Sequence, residues 1–447
     1  LSFSYYECQL RPKLILYAPG IRDFFTPHFC PKSLFFILQH HYRQSAWYPW
    51  SRRKNKRAAA GSNLISHLLH TLLRPSYILS APFPNIYYLI ASIDQTKDYM
   101  EKIIKTGICA YGMSGHIFHA PFIHVHPGFS FTAVVERSKH MAQERYPDVK
   151  VYKSVEDMLQ DDSLELIVVN TPNYTHYEYA KAALTAGKHV IVEKPFTVAS
   201  TEGQELVELA KSKGLLLSVY HNRRFDSDFK IVKQVIASGE LGDILEAEIH
   251  YDRYREELSY KKHKEAALPG TGGLYDLGSH LIDQALQLFG MPDALWADIR
   301  IIRKESVVDD YFELVYFYDK LRVRLKCSYI TREPIPSYQF HGRKGSFIKT
   351  KADTQETMLQ QGLLPGAPGW GVEGIHEWGL LHTEKNGEVI RKYLPSPKGD
   401  YLEFFDGIHA ALTKGAPVPV EPTDAVNVIR IIEAAFESSK TGNIVKL

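Results

Sequence analysis

Cysteine is scarce in this 447-residue chain: Cys8, Cys30, Cys109 and Cys327 lie far apart, with no Cys-x-x-Cys pair and no metal-ligand spacing. That pattern excludes a disulfide framework and a zinc site, no metal is expected, and a reducing, cytoplasmic setting follows. Charge of one sign is lacking too. With 53 Lys and Arg against 51 Asp and Glu, the net charge of +2 points to neither nucleic acid nor an acidic surface as an obligatory partner. No run of about eighteen uninterrupted apolar residues occurs, so no membrane-spanning helix is expected. Internal repeats and low-complexity tracts are missing as well. The chain is long enough for two or three domains with sizeable cores.

Residues 1–99 lack a pattern. They hold two of the cysteines, many aromatics and far more Lys and Arg than Asp and Glu, yet no stretch repeats as a strand or helix should. No Met precedes Met100, which opens MEKIIKTGICAYGMSG, a good first strand and turn of a nucleotide-binding domain. The expectation is that the native chain starts at Met100 and that 1–99 is a non-native upstream extension. Ser51, Arg52 and Arg53 resemble the opening of a twin-arginine export signal, but His67, His70 and Arg74 break the segment that should be apolar.

From Met100 the texture changes. Residues 102–111 give a short apolar strand, followed by Gly112, Met113, Ser114, Gly115 and a helix-like stretch. That order sets backbone N–H groups and a helix N-terminus against a pyrophosphate. The spacing is G-x-G-x-x-G with Ala110 in the first place and Tyr111 beside it; Gly112 and Gly115 keep the close backbone approach and the helix packing. A second strand ends at Glu136, about twenty residues past the glycines, where an acid takes the adenosine ribose hydroxyls and repels a 2′-phosphate. NAD is therefore favoured as cofactor. Arg137 and Ser138 keep NADP open, because a guanidinium pairs with phosphate or stacks on adenine.

The strand Leu166 to Val169 runs into Asn170, Thr171, Pro172, Asn173 and His176 at its carboxyl end, where small polar groups reach a cofactor. His176 either does so or packs the following helix. Residues 187–196, GKHVIVEKPF, form a β-branched strand ending in Glu193, Lys194 and Pro195, which delivers a charged pair to the same sheet edge. Pro195 restricts Lys194 to extended conformations. Five strand and helix alternations predict an α/β fold with a Rossmann-type, doubly wound parallel sheet over residues 100–221.

A second, α+β domain is read over residues 222–447. Alternation at 244–255 and in YFELVYFY, RLKCSYI and SYQFHG predicts a large open, mainly antiparallel sheet. KKHKEAALPGTGG, residues 261–273, reads as a linker into a helix starting near Leu274. On that helix Asp276 and His280 are four residues apart and share a face, so the acid can orient the imidazole as it exchanges a proton. The last helix stops at Gly442 and is expected to pack back on the first domain. His376, Trp370 and Trp378 sit in a Gly-rich loop placed to cover the site.

AYGMSG, NTPNYTH, VEKP, YHNRRFD and GGLYDLGSHLID stand in the order and spacing of the Gfo/Idh/MocA oxidoreductases, which residues 100–447 resemble and 1–99 do not. Within that family the resemblance is strongest to the scyllo-inositol 2-dehydrogenase branch, through GMSGHIFHAPF and GTGGLYDLGSHLIDQALQLFGMP. It implies a catalytic set of Lys194, Asp276 and His280 for reversible hydride transfer between a cyclic polyol or sugar and a nicotinamide. In that scheme His280 takes the hydroxyl proton, Asp276 orients it and Lys194 hydrogen-bonds the same oxygen. It also implies a homodimer or homotetramer formed through the open face of the second sheet. Asn222, Arg223, Tyr254, Tyr275, Asp276 and His280 offer donors and acceptors that suit a polyhydroxylated ring. Arg223 and Arg224 equally suit a salt bridge between domains, and Asp283 reads as structural. Two rival functions share the scaffold: a NAD-assisted glycosidase with no net cofactor turnover, and a non-catalytic cofactor-binding regulator. The joint presence of Lys194, Asp276 and His280 disfavours the regulator.

Overall fold

The strands of the first sheet are apolar on both faces. In a computed structural model, which describes residues 102–447, Leu166–Val169 and the run Val190, Ile191, Val192 are fully buried. Parallel strands covered by helices on both sides require this. Strands β1 (Ile104–Ile108), β2 (Phe129–Val135), β3 (Lys150–Tyr152), β4 (Leu166–Val169), β5 (His189–Val192) and β6 (Leu217–Val219) pair in parallel in the order β3-β2-β1-β4-β5-β6. The expected doubly wound sheet is therefore present. Its order reverses between β1 and β4, and the crevice outside the strand ends at such a switch point is where these sheets bind ligands. The expectations for residues 1–99, with Cys8 and Cys30, lie outside the described residues; Cys109 and Cys327 are buried free thiols.

Five helices cover this sheet: α1 (Ala120–Val125), α2 (Met141–Arg145), α3 (Val155–Leu159), α4 (His176–Thr185) and α5 (Ser200–Lys213). Local chemistry sets their ends. Ser154 caps α3 by accepting from Asp157 N at 3.0 Å, and α5 stops on Gly214 at φ +64°.

Beyond α6 (Ser227–Ser238) the chain alternates instead. β7 (Ile244–His250), α7 (Ser279–Phe289), β8 (Ala294–Arg300), β9 (Tyr311–Phe317), β10 (Arg322–Ser328), β11 (Tyr338–Gly342), β12 (Gly345–Lys349), α8 (Gln355–Gln360), β13 (Gly379–Lys385), β14 (Glu388–Leu394), α9 (Leu402–Lys414), α10 (Pro422–Thr441) and β15 (Val445–Lys446) follow in order. The sheet order is β14-β13-β12-β11-β7-β10-β9-β8-β15; β7 and β10 are parallel and the other neighbours antiparallel. β9 alternates buried and half-buried side chains, the signature of one covered and one open face.

Helix α10 packs on β8 of the second sheet and on α5 beside the first. Ser438 on α10 fixes the contact, its Oγ accepting from Ala297 N at 3.0 Å. The strand read over 244–255 leaves the regular ladder at His250, and Tyr251, Arg253 and Arg255 continue extended, donating backbone N–H groups to residues at the end of β10. Trp370, expected in a covering loop, is instead buried and packs edge-on to Phe122 at 6.2 Å. Ile432 of α10 is fully buried. Ile432→Ala should cost about 2–5 kcal/mol, read as a lower urea midpoint at unchanged slope. A cost below about 1 kcal/mol would remove α10 from the core.

Candidate active site

The turn after β1 closes so tightly that a Cβ on Gly115 would lie 2.1 Å from the Ala110 carbonyl oxygen. Gly112 has the opposite reason to be glycine: a Cβ there would meet no protein atom within 4 Å. It leaves a cradle open on the cleft side, the space a dinucleotide diphosphate needs. Ala110 is held by Asn170, whose side-chain nitrogen donates to Ala110 O at 2.8 Å and whose oxygen accepts from Ala110 N at 2.9 Å. The helix beyond begins as a π turn, Ser114–His119.

Glu136 is engaged elsewhere than expected. Both its carboxylate oxygens accept from the N-terminus of α2, from Met141 N at 3.2 Å and Ala142 N at 3.0 Å. Arg137, Ser138 and Lys139 line the cleft beside it. An acid committed to a helix end is a weaker obstacle to a 2′-phosphate than a free one.

β5 delivers Glu193 toward the glycine loop, where it accepts from Ser114 Oγ (2.6 Å), His119 Nε2 (2.8 Å) and Lys194 N (3.1 Å). Burial opposes its charge, yet the His119 and Ser114 contacts and the Lys194 ammonium hold its carboxyl at about 2. His176 ties two loops together, its Nδ1 lying 2.8 Å from Pro195 O and its Nε2 2.9 Å from Thr171 O. Burial pushes its pKa down, and a neutral ring donates to only one of those carbonyls. Thr171 pairs with Thr175, and Asn173 donates to Gly270 O at 2.6 Å.

The sheet edge and the second domain meet at Asp276. Lys194 Nζ donates to its backbone carbonyl at 2.8 Å and to Oδ1 at 3.2 Å; Lys264 Nζ reaches both carboxylate oxygens at 2.8 and 2.9 Å. Burial works against the charge of Asp276, but the two ammonium groups override it and hold the carboxyl well below its usual range. His280 is buried in the same cleft with its Nδ1 unpartnered. Burial, followed by the charges of Lys194 and Arg223, keeps its imidazole well below the ordinary value, so it is neutral at pH 7.

Asp276 makes no hydrogen bond to His280, which corrects the expected orienting role. Leu274–Gly278 is a π turn that runs into α7, and two lysines occupy the Asp276 carboxylate.

The cleft encloses about 1220 Å³. Ala110 to Ser114, Glu136, Arg137, Asn170 to Asn173, His176, Glu193, Lys194, Asn222, Arg223, Asp276 and His280 all line it. Gly115 and Pro195 lie behind the wall. Tyr254 and Tyr275 do not line the cleft either, contrary to expectation. Alternation along 251–255 sends Tyr251, Arg253 and Arg255 inward, leaving Tyr254 49 % exposed under the Arg332 guanidinium. Tyr275 is buried, donating to Val198 O at 2.9 Å and packing on Phe436.

Arg223 donates to Tyr401 Oη at 2.9 Å and pairs with Glu356. Arg224 forks onto Asp283 and reaches Asp424, so that pair is structural. His376 and Trp378 stand outside the cleft. Lys261, Lys264 and Tyr329 line it unannounced. The period of two at 251, 253 and 255 was a usable signal for the inward arginines; nothing local marks Lys264.

A glycine cradle at the switch point, facing a charged wall from a second sheet, defines an NAD(P)-dependent oxidoreductase. Family models agree: the oxidoreductase NAD-binding Rossmann fold matches residues 104–221 and the oxidoreductase C-terminal alpha/beta domain matches 233–447. The chain belongs to the Gfo/Idh/MocA oxidoreductase family. It is 41% identical over 345 residues to scyllo-inositol 2-dehydrogenase (NADP(+)) IolW of Bacillus subtilis, covering 77% of this chain and 96% of that protein. An uncharacterised oxidoreductase of Schizosaccharomyces pombe is 40% identical, over 77% of this chain and 99% of its own. Among solved structures, a putative oxidoreductase of Bacteroides fragilis shares 47% identity at a TM-score of 0.71, covering 77% of this chain and all of that one. The oxidoreductase YvaA of B. subtilis shares 40% at a TM-score of 0.74, covering 78% and 99%.

The two glycines should separate binding from folding. Gly112→Ala should keep the melting temperature but weaken NAD(P)H binding about tenfold or more, measured by fluorescence titration, because its methyl enters the cradle. Gly115→Ala should lower the melting temperature, because its methyl meets Ala110 O. Unchanged cofactor affinity in Gly112→Ala would contradict the cradle.

Proposed function

We propose that the enzyme reversibly oxidises a ring carbinol of an inositol-like polyol or sugar. The observation that carries this reading is the meeting of Lys194, ionised Asp276 and neutral His280 beside the glycine cradle. The dinucleotide held by residues 110–115 supplies the nicotinamide that accepts and returns hydride. Lys194, aimed by the carbonyl and carboxylate of Asp276, donates to the carbinol oxygen and stabilises the negative charge that develops there. His280, uncharged, receives the hydroxyl proton. Asp276 acts on Lys194 rather than on His280, balancing the ammonium and fixing its direction.

Asn222 and Arg223 on one wall, with Tyr251 and Tyr329 on the other, offer donors and acceptors to the remaining hydroxyls. Relatives named as scyllo-inositol 2-dehydrogenase, D-xylose 1-dehydrogenase and D-glucoside 3-dehydrogenase support a polyol or sugar. NADP suits the site as well as NAD, since Glu136 is committed to α2 while Arg137 and Lys139 stand free beside it.

In this scheme residues 100–221 bind the cofactor and 222–447 hold the substrate. The open face of the second sheet, where Trp296, Val315 and Phe317 are half-buried, joins subunits into a homodimer or homotetramer. A cytoplasmic enzyme fits the reduced thiols; among the described residues no helix is long and apolar enough to cross a membrane.

A panel of inositols and aldoses, run with NAD and NADP in parallel, should give steady reduction of the cofactor. Turnover of a glycoside with no net reduction would favour the glycosidase reading, and binding without any turnover would favour a regulator. Oxidation should lose activity only as pH falls below the ordinary imidazole value near 6.5, because burial lowers the pKa of His280 and keeps it unprotonated above that point. His280→Ala should abolish this acid limb and lower kcat by about 10²–10⁴-fold. Retention of the limb in that variant would remove His280 as the base.

A further inference from the structure

Residues 256–272 overlap the stretch that reads as a linker over 261–273, yet they carry two ammonium groups into the cleft from the second domain. Lys264 spends its charge on Asp276. Lys261, three residues earlier, has no such partner. Among the described residues no carboxylate lies within ion-pair distance of it, and its Nζ rests against the thioether of Met113 in the glycine loop. A thioether is a weak acceptor and cannot neutralise an ammonium. Lys261 is half-buried, and burial with the neighbouring Lys264 charge pushes its pKa down against the more distant carboxylates of Asp276 and Glu356, neither of which makes an ion pair with it.

The segment is not slack. Ser259 N donates to Glu265 at 2.7 Å, Arg303 anchors the same Glu265 at 3.0 Å, and Thr271 Oγ1 donates to Ala266 O at 2.9 Å. The fold therefore holds an ammonium with no ion-pair partner against Met113, next to Gly112, whose missing side chain leaves the cradle open. A neutral polyol supplies no charge to answer it; a diphosphate does.

We propose that Lys261 is a cofactor-binding residue whose ammonium pairs with the diphosphate of the dinucleotide, so that segment 256–272 straps the cofactor from the second domain. The proposal rests on the dinucleotide reading of the cleft. One strap then carries both the diphosphate contact, through Lys261, and a ligand of Asp276, through Lys264.

Calorimetric titration of the wild type, Lys261→Met and Lys262→Met with NADH, NADPH, ADP-ribose and adenosine tests this. Lys262 is exposed and stands outside the cleft. Lys261→Met should bind both dinucleotides and ADP-ribose about tenfold more weakly, with a shallower salt dependence, while adenosine binding stays unchanged. Lys262→Met should behave as wild type. Wild-type affinity for ADP-ribose in Lys261→Met, or an equal loss in Lys262→Met, would overturn the proposal. Lys261→Gln, which keeps a polar head, serves as the second variant if Lys261→Met is unstable, with the same expected losses. A wild type that binds no dinucleotide would instead bring down the dehydrogenase reading, and the strap with it.

Discussion

The contact between Lys194 and Asp276 is where the two halves of this enzyme become one site. Lys194 follows the end of β5 in the parallel sheet, and Asp276 lies in a helical turn of the second domain. A partly buried carboxylate without a partner is unfavourable, and Asp276 has Lys194 on one side and Lys264 on the other. The same pairing directs the Lys194 ammonium. Once the lysine is fixed, its charge helps to keep His280 neutral, which is the pairing that the proposed oxidation of a carbinol would use. The acid does not touch the base; it acts through the lysine between the two domains.

Much of the rest of the cleft is scaffolding for that arrangement. Glu193 gathers Ser114, His119 and the Lys194 backbone, tying the strand end to the first turn after the glycine loop. Asn170 clamps Ala110 from both sides, which lets alanine stand where a first glycine is usual. His176 joins the Thr171 and Pro195 carbonyls. These side chains face the cleft, yet their hydrogen bonds are spent on protein. Their contribution is to fix the loops that border the cleft.

Legibility from sequence followed the range of the interactions. The parallel sheet was readable because each buried strand is a local apolar run, and the cradle because glycine spacing reports a local turn. Lys194, Asp276 and His280 could be named from the order of the motifs. Their relation could not, because Lys194 and a lysine from 261–273 hold the Asp276 carboxylate, and the latter leaves no mark near residue 276. Glu136 lines the cleft, but nothing in the sequence near it announces that the start of α2 also engages its carboxylate. Tyr254 failed by one residue of strand register, which turns a side chain to the opposite face, and Tyr275 by the depth of its burial. Lys261 and Lys264 were hidden inside a stretch whose composition resembles any solvated connector.

A double-mutant cycle on Lys194 and Asp276 tests the central claim most directly. Lys194→Met, Asp276→Asn and the double variant would be compared in kcat/KM for polyol oxidation. If Asp276 acts through Lys194, the double variant should be impaired no more than about threefold beyond the worse single variant. Losses that multiply would show that the two residues work independently, and would return Asp276 to a separate role beside His280.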